Sequence, residues 1–234
     1  MLKIAEARSS EFHSAWGVAG SQDHKADYTD GELRIRELSY DFDKLLRWED
    51  EDKAKKASSL AIGLVKNWHI GYSQNNGAAP RTTMTDELEK HGGDPAKIDK
   101  DCNTDCSAMI AAIVRSCGIN ISKDMYTGNE IPLLVNTGAF SLSQIGKNEV
   151  YQVGDILWRD GHTAIVVDVE PERPTKTVVN CKSVNFRNYV GTPDATPIHV
   201  LYPGDKVELT GNSVTWYEGY SKGKLGWISG KYLD

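Results

Sequence analysis

The sequence predicts an α+β fold, in which a helix-rich region is followed by an antiparallel sheet and then by a small all-β module. Two observations support this order. Apolar residues recur every three to four positions in several segments before residue 118, as on a helix face packed on a core. From Val150 onward the period becomes two and β-branched residues accumulate, which is typical of strands. Helical and strand patterns separated along the chain in this way favour α+β.

The composition indicates a globular chain with room for one medium and one small domain: 234 residues, 39% hydrophobic and 26% charged. A net charge of −6 argues against a nucleic-acid partner, which needs a broad basic face. No apolar run approaches the roughly 20 residues of a membrane span, and the N-terminal residues lack the apolar core of a signal peptide. We therefore expect synthesis in a cytoplasm and no insertion into a membrane.

The first predicted helix follows the acidic residues 49–52, which suit a helix N-terminus, and its apolar spacing continues to Trp68. A second, shorter helix is predicted from about Thr83. The first fifty residues show no clear period. Residues 119–148 mix turn residues with short apolar runs, so we expect loops and short helices there.

Cys106 stands where a loop becomes a third predicted helix, for which Gly118 is the expected C-cap. Unpaired N–H groups and the positive end of the helix dipole favour a thiolate in the first turn, and the same N–H groups suit an oxyanion. An ordinary buried cysteine is the alternative. The core face of this helix comprises Met109, Ile110, Ile113, Val114 and Cys117.

The four cysteines, Cys102, Cys106, Cys117 and Cys181, are too few and too unevenly spread for a disulfide scaffold. Cysteine is a common zinc ligand, so Cys102 and Cys106 are candidates for a zinc-binding pair. No second Cys or His pair follows them at the spacing of a zinc finger. We therefore expect neither a metal nor an organic cofactor.

Two strands are predicted around a glycine turn, the first over residues 154–158 and the second, strongly β-branched, over residues 162–169. Residues 176–180 are expected to form the antiparallel partner of the second strand, across a turn centred near Glu172. The sheet is therefore expected to be antiparallel.

His162 begins the second of these strands, where a histidine taken alone is usually a solvated surface residue. The expected hairpin places His162 opposite about residue 182, with same-face neighbours two residues to either side. Asn180 is then the polar residue best placed to accept a hydrogen bond from the imidazole, without adding a formal charge. Asp168 is the alternative, although it lies near the turn.

Three motifs follow one another in the sequence: Thr104-Asp105-Cys106-Ser107-Ala108, Gly154-Asp155-Ile156-Leu157 and Gly161-His162-Thr163-Ala164-Ile165-Val166-Val167. Together they resemble the papain-like cell-wall cysteine peptidases of the NlpC type and the related CHAP amidase/peptidase group. The similarity is closest to endolysins of phages and prophages of Gram-positive bacteria, which share an opening like residues 4–8 and a loop like residues 70–74. The resemblance covers most of residues 1–181.

The resemblance implies a papain-like peptidase domain over residues 1–181, with Cys106 as the nucleophile and His162 as general base and then general acid. It implies a polar residue on the following strand, here Asn180, as the group that orients the histidine. It also implies three residues that contact or shape the substrate subsite: Tyr72, Asp105 and Ser107.

Residues 182–234 contain short strand-like runs at regular spacing, separated by Gly and Asn turns, which fits a small all-β barrel. Runs such as Gly226-Trp227-Ile228-Ser229-Gly230 resemble a bacterial SH3 domain, and Trp227 is expected in its core. The resemblance implies that this module binds the cell wall or positions the substrate of the catalytic domain.

The residues and the resemblance together predict a peptidoglycan hydrolase of the endolysin type that cleaves amide bonds in the wall of Gram-positive bacteria. An endopeptidase is favoured over an N-acetylmuramoyl-L-alanine amidase. The alternative outside the enzymes is a protein that binds the wall but has lost its catalytic activity. Because the N-terminal residues lack the apolar core of a signal peptide, the resemblance implies a phage lysin that reaches the wall through a holin.

Overall fold

The computed structural model describes residues 2–8, 27–74, 80–147, 149–169, 175–188, 196–213 and 216–233. The chain separates into two compact units, Met1–Glu170 and Pro171–Asp234. This boundary lies before the one at residues 181 and 182 that the sequence indicated.

The described part of the first unit contains four α-helices, one short 3₁₀ helix (Pro95–Lys97) and eight strands. The helices are α1 (Glu51–Val65), α2 (Thr83–Lys90), α3 (Cys106–Ser116) and α4 (Thr127–Val135). The strands are β1 (Leu2–Ala7), β2 (Leu33–Glu37), β3 (Lys44–Trp48), β4 (Ile70–Tyr72), β5 (Cys102–Thr104), β6 (Phe140–Gln144), β7 (Ile156–Arg159) and β8 (His162–Val169).

Six of these strands form one antiparallel sheet in the order β2-β1-β8-β7-β3-β6. β4 and β5 form a separate parallel pair, in which Tyr72 lies opposite Thr104. The predicted combination of helices with antiparallel strands is confirmed. The predicted helices near residues 54, 83 and 106 are present as α1, α2 and α3.

The expected hairpin between β8 and the strand near residue 176 is wrong. β8 lies between β7 and the N-terminal strand β1, with Ala5 opposite Ile165. The later segment forms β9 (Thr175–Thr177), which pairs with β12 (Lys206–Ser213) in the second unit. The turn expected near Glu172 lies outside the described residues. Because β1 pairs with one edge of β8 and β7 with the other, no edge of β8 is left for a strand from later in the chain.

The side chains of β8 alternate between two hydrophobic cores. Ile165 and Val167 join the larger cluster, which includes buried residues of α1 and α3. Ala164 and Val166 join a second cluster together with Ile4 of β1. This alternation directs Thr163 toward the larger cluster and His162 toward the face that carries Ile4.

Local signals explain where α1 begins and ends. The Asp50 carboxylate caps the helix by accepting from the N–H groups of Asp52 and Lys53. The helix stops at Val65, so Trp68 lies beyond it and is half exposed. The strands within the first fifty residues were not predicted, because the alternation in each is short and broken by turns.

The second unit contains one antiparallel sheet of six described strands in the order β11-β10-β14-β13-β12-β9. The pairing among these residues does not close into a barrel, unlike the predicted SH3-like module. Phe186 and Ile228 lie in its core, whereas Trp227 is only partly buried. The strands not yet named are β10 (Val184–Arg187), β11 (Pro197–Leu201), β13 (Trp216–Ser221) and β14 (Lys224–Ser229).

None of the helices in the described ranges is both long enough and apolar enough to cross a membrane.

Candidate active site

Cys106 is the first residue of α3, and its sulfur lies beside the start of β8. The Asp105 carboxylate caps the helix by accepting from the N–H of Ala108 at 2.7 Å. The backbone N–H groups of Ser107 and of Thr163 lie near the Cys106 sulfur and lower the pKa of its thiol. The first turn of α3 and the first residues of β8 therefore both lie close to this sulfur.

The Cys106 thiol is neutral in the resting structure. Only 5% of the residue is exposed. Burial raises the pKa of the thiol to about 12, and the charges of Asp105 and Glu130 add to the effect, although the two N–H groups oppose it. Desolvation thus opposes the helix-stabilised thiolate that the sequence predicts at this position.

His162 is held by a carboxylate on one side and by aromatic rings around it. Its Nε2 atom lies 2.8 Å from Oε2 of Glu6 on β1. The imidazole stacks on Phe42, with ring centroids 5.9 Å apart and an interplanar angle of 24°, and Tyr40 lies near it. These contacts fix the orientation of a ring that is largely buried.

Glu6 is ionised although it is completely buried. Burial opposes the charge, but hydrogen bonds from His162 and Tyr40 and the positive charges of His162 and Arg34 lower the pKa of Glu6 to about 2. The Arg34 Nε atom lies 2.7 Å from Glu6 Oε1. Because a carboxylate only accepts hydrogen bonds, Nε2 of His162 carries a hydrogen, and Nδ1 is the basic nitrogen of the neutral ring.

In the structure, Nε2 of His162 is hydrogen-bonded to Glu6. The sequence had suggested Asn180 or Asp168 as its partner. Asp168 forms an ion pair with Lys3 at 3.1 Å, near the opposite end of β8. Asn180 belongs to the second unit, where its backbone has a positive φ of 57°. The choice of Asn180 depended on a hairpin that is absent from the described pairing of β8.

Glu6 was missed although the sequence carried a signal for it. The acid stands in a short strand between apolar neighbours, Ile4, Ala5 and Ala7, all of them buried. A single carboxylate in such a strand requires partners in the core, because an unpaired buried charge is costly. The partners could not be named without the pairing of β1 with β8.

Two of the residues predicted to shape the substrate subsite, Asp105 and Ser107, are hydrogen-bonded to each other. The Ser107 hydroxyl donates to Asp105 Oδ1 at 2.9 Å, and the same carboxylate accepts from Nη1 of Arg81 at 3.0 Å. Arg81 also donates to the carbonyl oxygens of Asp124 and Met125. This network holds the residues beside Cys106 in place.

Tyr72, the third predicted substrate residue, is buried at the end of β4. Burial raises the pKa of its phenol, and Cys106 and Asp105 add to the rise when they are ionised. Tyr72 lies opposite Thr104, the residue before Asp105, in the pair of β4 and β5. The structure thus brings together Tyr72, Asp105, Cys106 and Ser107.

A cavity of about 450 Å³ opens in front of the Cys106 side chain. Its described lining includes residues from the α3 start, from the start of α4 and from the turn before His162. They are Gln74, Arg81, Asp105, Cys106, Ser107, Asp124, Tyr126, Thr127 and Gly161. A polar ligand in this cavity would reach the Cys106 sulfur.

A second buried carboxyl group, Glu130 on α4, lies behind the site and was also missed. Thr163 Oγ1 donates to its Oε1 at 2.8 Å, whereas Oε2 has no hydrogen-bond partner among the described residues. Burial raises the pKa of Glu130 to about 8, the Thr163 hydrogen bond opposes this rise, and the charge of Asp105 adds to it. Glu130 is therefore mainly protonated at neutral pH.

Within the part of the chain that the structure describes, one group of three side chains has the spacing of a metal site, and it lies outside the cavity. It comprises Glu87, His91 and Asp99, on α2 and in the segment after it. Cys102 and Cys106 do not belong to it.

The fold and the site define an α+β protein with a buried cysteine at a helix start and a histidine–carboxylate pair on adjacent strands. The family model described as an endolysin-like domain matches residues 15–172. The chain belongs to this endolysin-like domain family. No curated protein and no solved structure matches the chain.

Proposed function

We propose that this chain is a peptidoglycan hydrolase in which Cys106 attacks an amide carbonyl of the wall peptide. Membership of the endolysin-like domain family supports a cell-wall lytic function. The pair formed by Glu6 and His162 carries the catalytic part of the proposal. The pair leaves Nδ1 of His162 as the atom that can accept a proton. Because β8 directs the imidazole to the sheet face of Ile4 while the sulfur lies at the start of α3, we propose that a water molecule carries the proton between them.

Because the Cys106 thiol is neutral, its proton is removed as the sulfur attacks rather than before. His162 Nδ1 takes that proton, and the Sγ–C bond forms at the substrate carbonyl. The resulting imidazolium is stabilised by the Glu6 carboxylate. The carbonyl oxygen becomes an oxyanion, for which we propose the backbone N–H of Cys106 at the start of α3 as a donor.

His162 then donates its proton to the leaving amine as the C–N bond breaks, which leaves a thioester on Cys106. A water molecule attacks the thioester carbonyl while His162 accepts one of its protons. The carboxylic acid product leaves, and His162 returns a proton to the sulfur. Apart from water, each step uses only side chains and backbone groups of this chain.

The cavity fits a polar peptide substrate. Asp105 and Ser107, which are hydrogen-bonded to each other, line the wall beside the sulfur, and the buried Arg81 holds Asp105 in place. We assign the cleaved bond to the stem peptide or cross-bridge, which makes the enzyme an endopeptidase. The bond between muramic acid and L-alanine is the alternative, and it would make the enzyme an amidase.

The second unit is proposed to bind the wall of Gram-positive bacteria. Its separate compact sheet and the similarity of its sequence to bacterial SH3 domains support this role. In this proposal the first unit cleaves and the second retains the protein on its substrate.

Mass spectrometry of the soluble fragments released from purified Gram-positive peptidoglycan tests the proposed reaction. The wild type is compared with Cys106→Ala, His162→Ala and Cys117→Ala, the last being a matched control that removes a buried cysteine at the far end of α3. New amino termini within the peptide, present for wild type and Cys117→Ala only, would establish a cysteine endopeptidase. Free L-alanine termini with peptide-free glycan would establish an amidase instead.

The burial of the Cys106 thiol favours a second candidate, a wall-binding protein without turnover. This candidate predicts that wild type and Cys106→Ala bind insoluble peptidoglycan equally and release no fragments. Full release of fragments by His162→Ala would contradict the proposed roles of Cys106 and His162.

A further inference from the structure

The end of α2 carries a group of metal-ligating side chains that the proposed reaction does not use. Glu87 and His91 are four residues apart and therefore share one face of the helix end. Asp99 approaches them from the segment that precedes β5. One donor atom from each residue lies within 4.8 Å of the other two.

The distance between the two helical side chains suits a shared metal ion. Oε2 of Glu87 and Nε2 of His91 are 3.6 Å apart. Two ligands bound at about 2.1 Å to one tetrahedral ion lie about 3.4 Å from each other. Asp99 is exposed, and one of its carboxylate oxygens lies within 4.8 Å of a donor atom of Glu87 and of His91.

The hydrogen bonding of His91 and Glu87 is a second, independent indication that an ion binds here. Nε2 of His91 is shielded from solvent and has no hydrogen-bond partner among the described residues. A ring nitrogen in that state costs free energy unless something binds it. Glu87 already attracts a cation, since the exposed Lys90 ammonium lies 3.0 Å from the same Oε2 atom.

We propose that Glu87, His91 and Asp99 bind one divalent transition-metal ion, of which Zn²⁺ is the representative. An imidazole nitrogen with two carboxylate oxygens is a donor set that such ions accept, with water completing the coordination. The ion joins the end of α2 to the segment that leads through β5 to Asp105 and Cys106. Its role is therefore to stabilise the approach to α3, separately from the cavity.

Equilibrium dialysis of the full chain against Zn²⁺ after treatment with a chelator tests this site. One ion should bind to the wild type, and both His91→Gln and Glu87→Gln should weaken binding by at least about tenfold, since even losing an outer-shell partner costs this much. His69→Gln is the matched control, because His69 is an exposed histidine that pairs with Asp101 at 2.9 Å outside the group. It should bind like the wild type.

Thermal unfolding provides the second readout, because an ion bound only by the folded state raises the midpoint. Zn²⁺ should raise the midpoint of wild type, His69→Gln and Cys106→Ala, and should leave His91→Gln unchanged. Loss of binding in Cys106→Ala with retention in His91→Gln would overturn the proposal and place the ion at the cavity. No binding by the wild type would overturn it as well.

Discussion

Glu6 and Glu130 lie on either side of the start of β8, and both are completely buried. Glu6 contacts His162, whereas Glu130 contacts the next residue, Thr163. The pKa of Glu6 is lowered to about 2, whereas that of Glu130 is raised to about 8. Equal burial thus gives opposite protonation states at neutral pH.

The partners of the two carboxyl groups explain the difference. Glu6 accepts hydrogen bonds from His162, Tyr40 and the cationic Arg34. Glu130 accepts one described hydrogen bond, from a neutral hydroxyl, and lies near the anionic Asp105. Burial sets the cost of a charge, and only several donors, at least one of them positive, offset it.

The opposite protonation states of Glu6 and Glu130 suit the two groups that react in the proposed mechanism, His162 and Cys106. A permanent negative charge at Glu6 supports the imidazolium that forms on His162. A neutral Glu130 places no second negative charge near the Cys106 sulfur at neutral pH, whereas an ionised Glu130 contributes to the raised pKa of the thiol. The comparison leads to four predictions, given from the largest expected effect to the smallest.

Removing the charge of Glu6 should have the largest effect. Glu6→Gln should lower kcat/KM for peptidoglycan fragments by roughly 10³- to 10⁴-fold, because an amide can hold His162 in the wrong tautomer and cannot stabilise an imidazolium. Asp168→Asn is the matched control, since Asp168 is an exposed acid that pairs with Lys3. Steady-state kinetics would contradict the assignment if Asn180→Ala lost activity while Glu6→Gln retained it.

The neutral Cys106 thiol should react slowly with iodoacetamide. With a pKa of about 12, its rate near pH 8 should be tens of fold below that of an ordinary cysteine, since greater thiolate nucleophilicity offsets only part of the lost ionisation. Peptide mapping after timed alkylation separates Cys106 from the more exposed Cys181, which serves as the internal control. Faster reaction at Cys106 than at Cys181 would show that the thiolate forms in the resting protein.

Glu130 should make the protein less stable at alkaline pH. Its folded pKa of about 8 lies above the ordinary 4.5, so its contribution to stability is complete below about pH 4.5 and is lost as the pH rises through about 8. Glu130→Gln should remove this loss. Urea midpoints at about pH 5 and about pH 9 should therefore differ less in the variant than in the wild type.

The exposed Glu89, which pairs with Arg115, supplies the control for this measurement. Glu89→Gln should keep the pH dependence of the wild type. The same pH dependence in Glu130→Gln would show that Glu130 is already ionised at neutral pH in the folded protein.

Removing one donor to Glu6 should have the smallest effect. Tyr40→Phe deletes a hydrogen bond to a charged group, worth about 1.5–3 kcal/mol, so activity should fall by about tenfold or somewhat more. The stability that the Glu6 charge supplies is complete above about pH 4.5 and is lost as the pH falls through about 2. Acid unfolding of Tyr40→Phe, followed by circular dichroism, should therefore begin at a higher pH.

Tyr202→Phe, which alters an exposed tyrosine of the second unit, should leave both properties unchanged. An acid transition of Tyr40→Phe identical to that of the wild type would show that the hydroxyl contributes nothing to the charge of Glu6.

The helix at Cys106 was predictable because its signals are local. A 3.6-residue period, an N-cap acid at Asp105 and a glycine after the last turn all lie within about fourteen residues of one another. The strand that begins at His162 was predictable for the same reason, from a β-branched run after a glycine turn.

The sequence by itself determined the helix that begins at Cys106, the strand that begins at His162 and the α+β character of the chain, because periodicity and capping act between near neighbours. The tertiary structure alone decided that Glu6 is the partner of His162, since more than 150 residues separate the two. It also decided that the Cys106 thiol is neutral, because desolvation depends on what packs around the sulfur from distant parts of the chain. Contacts between residues far apart in sequence therefore set the charges of the site.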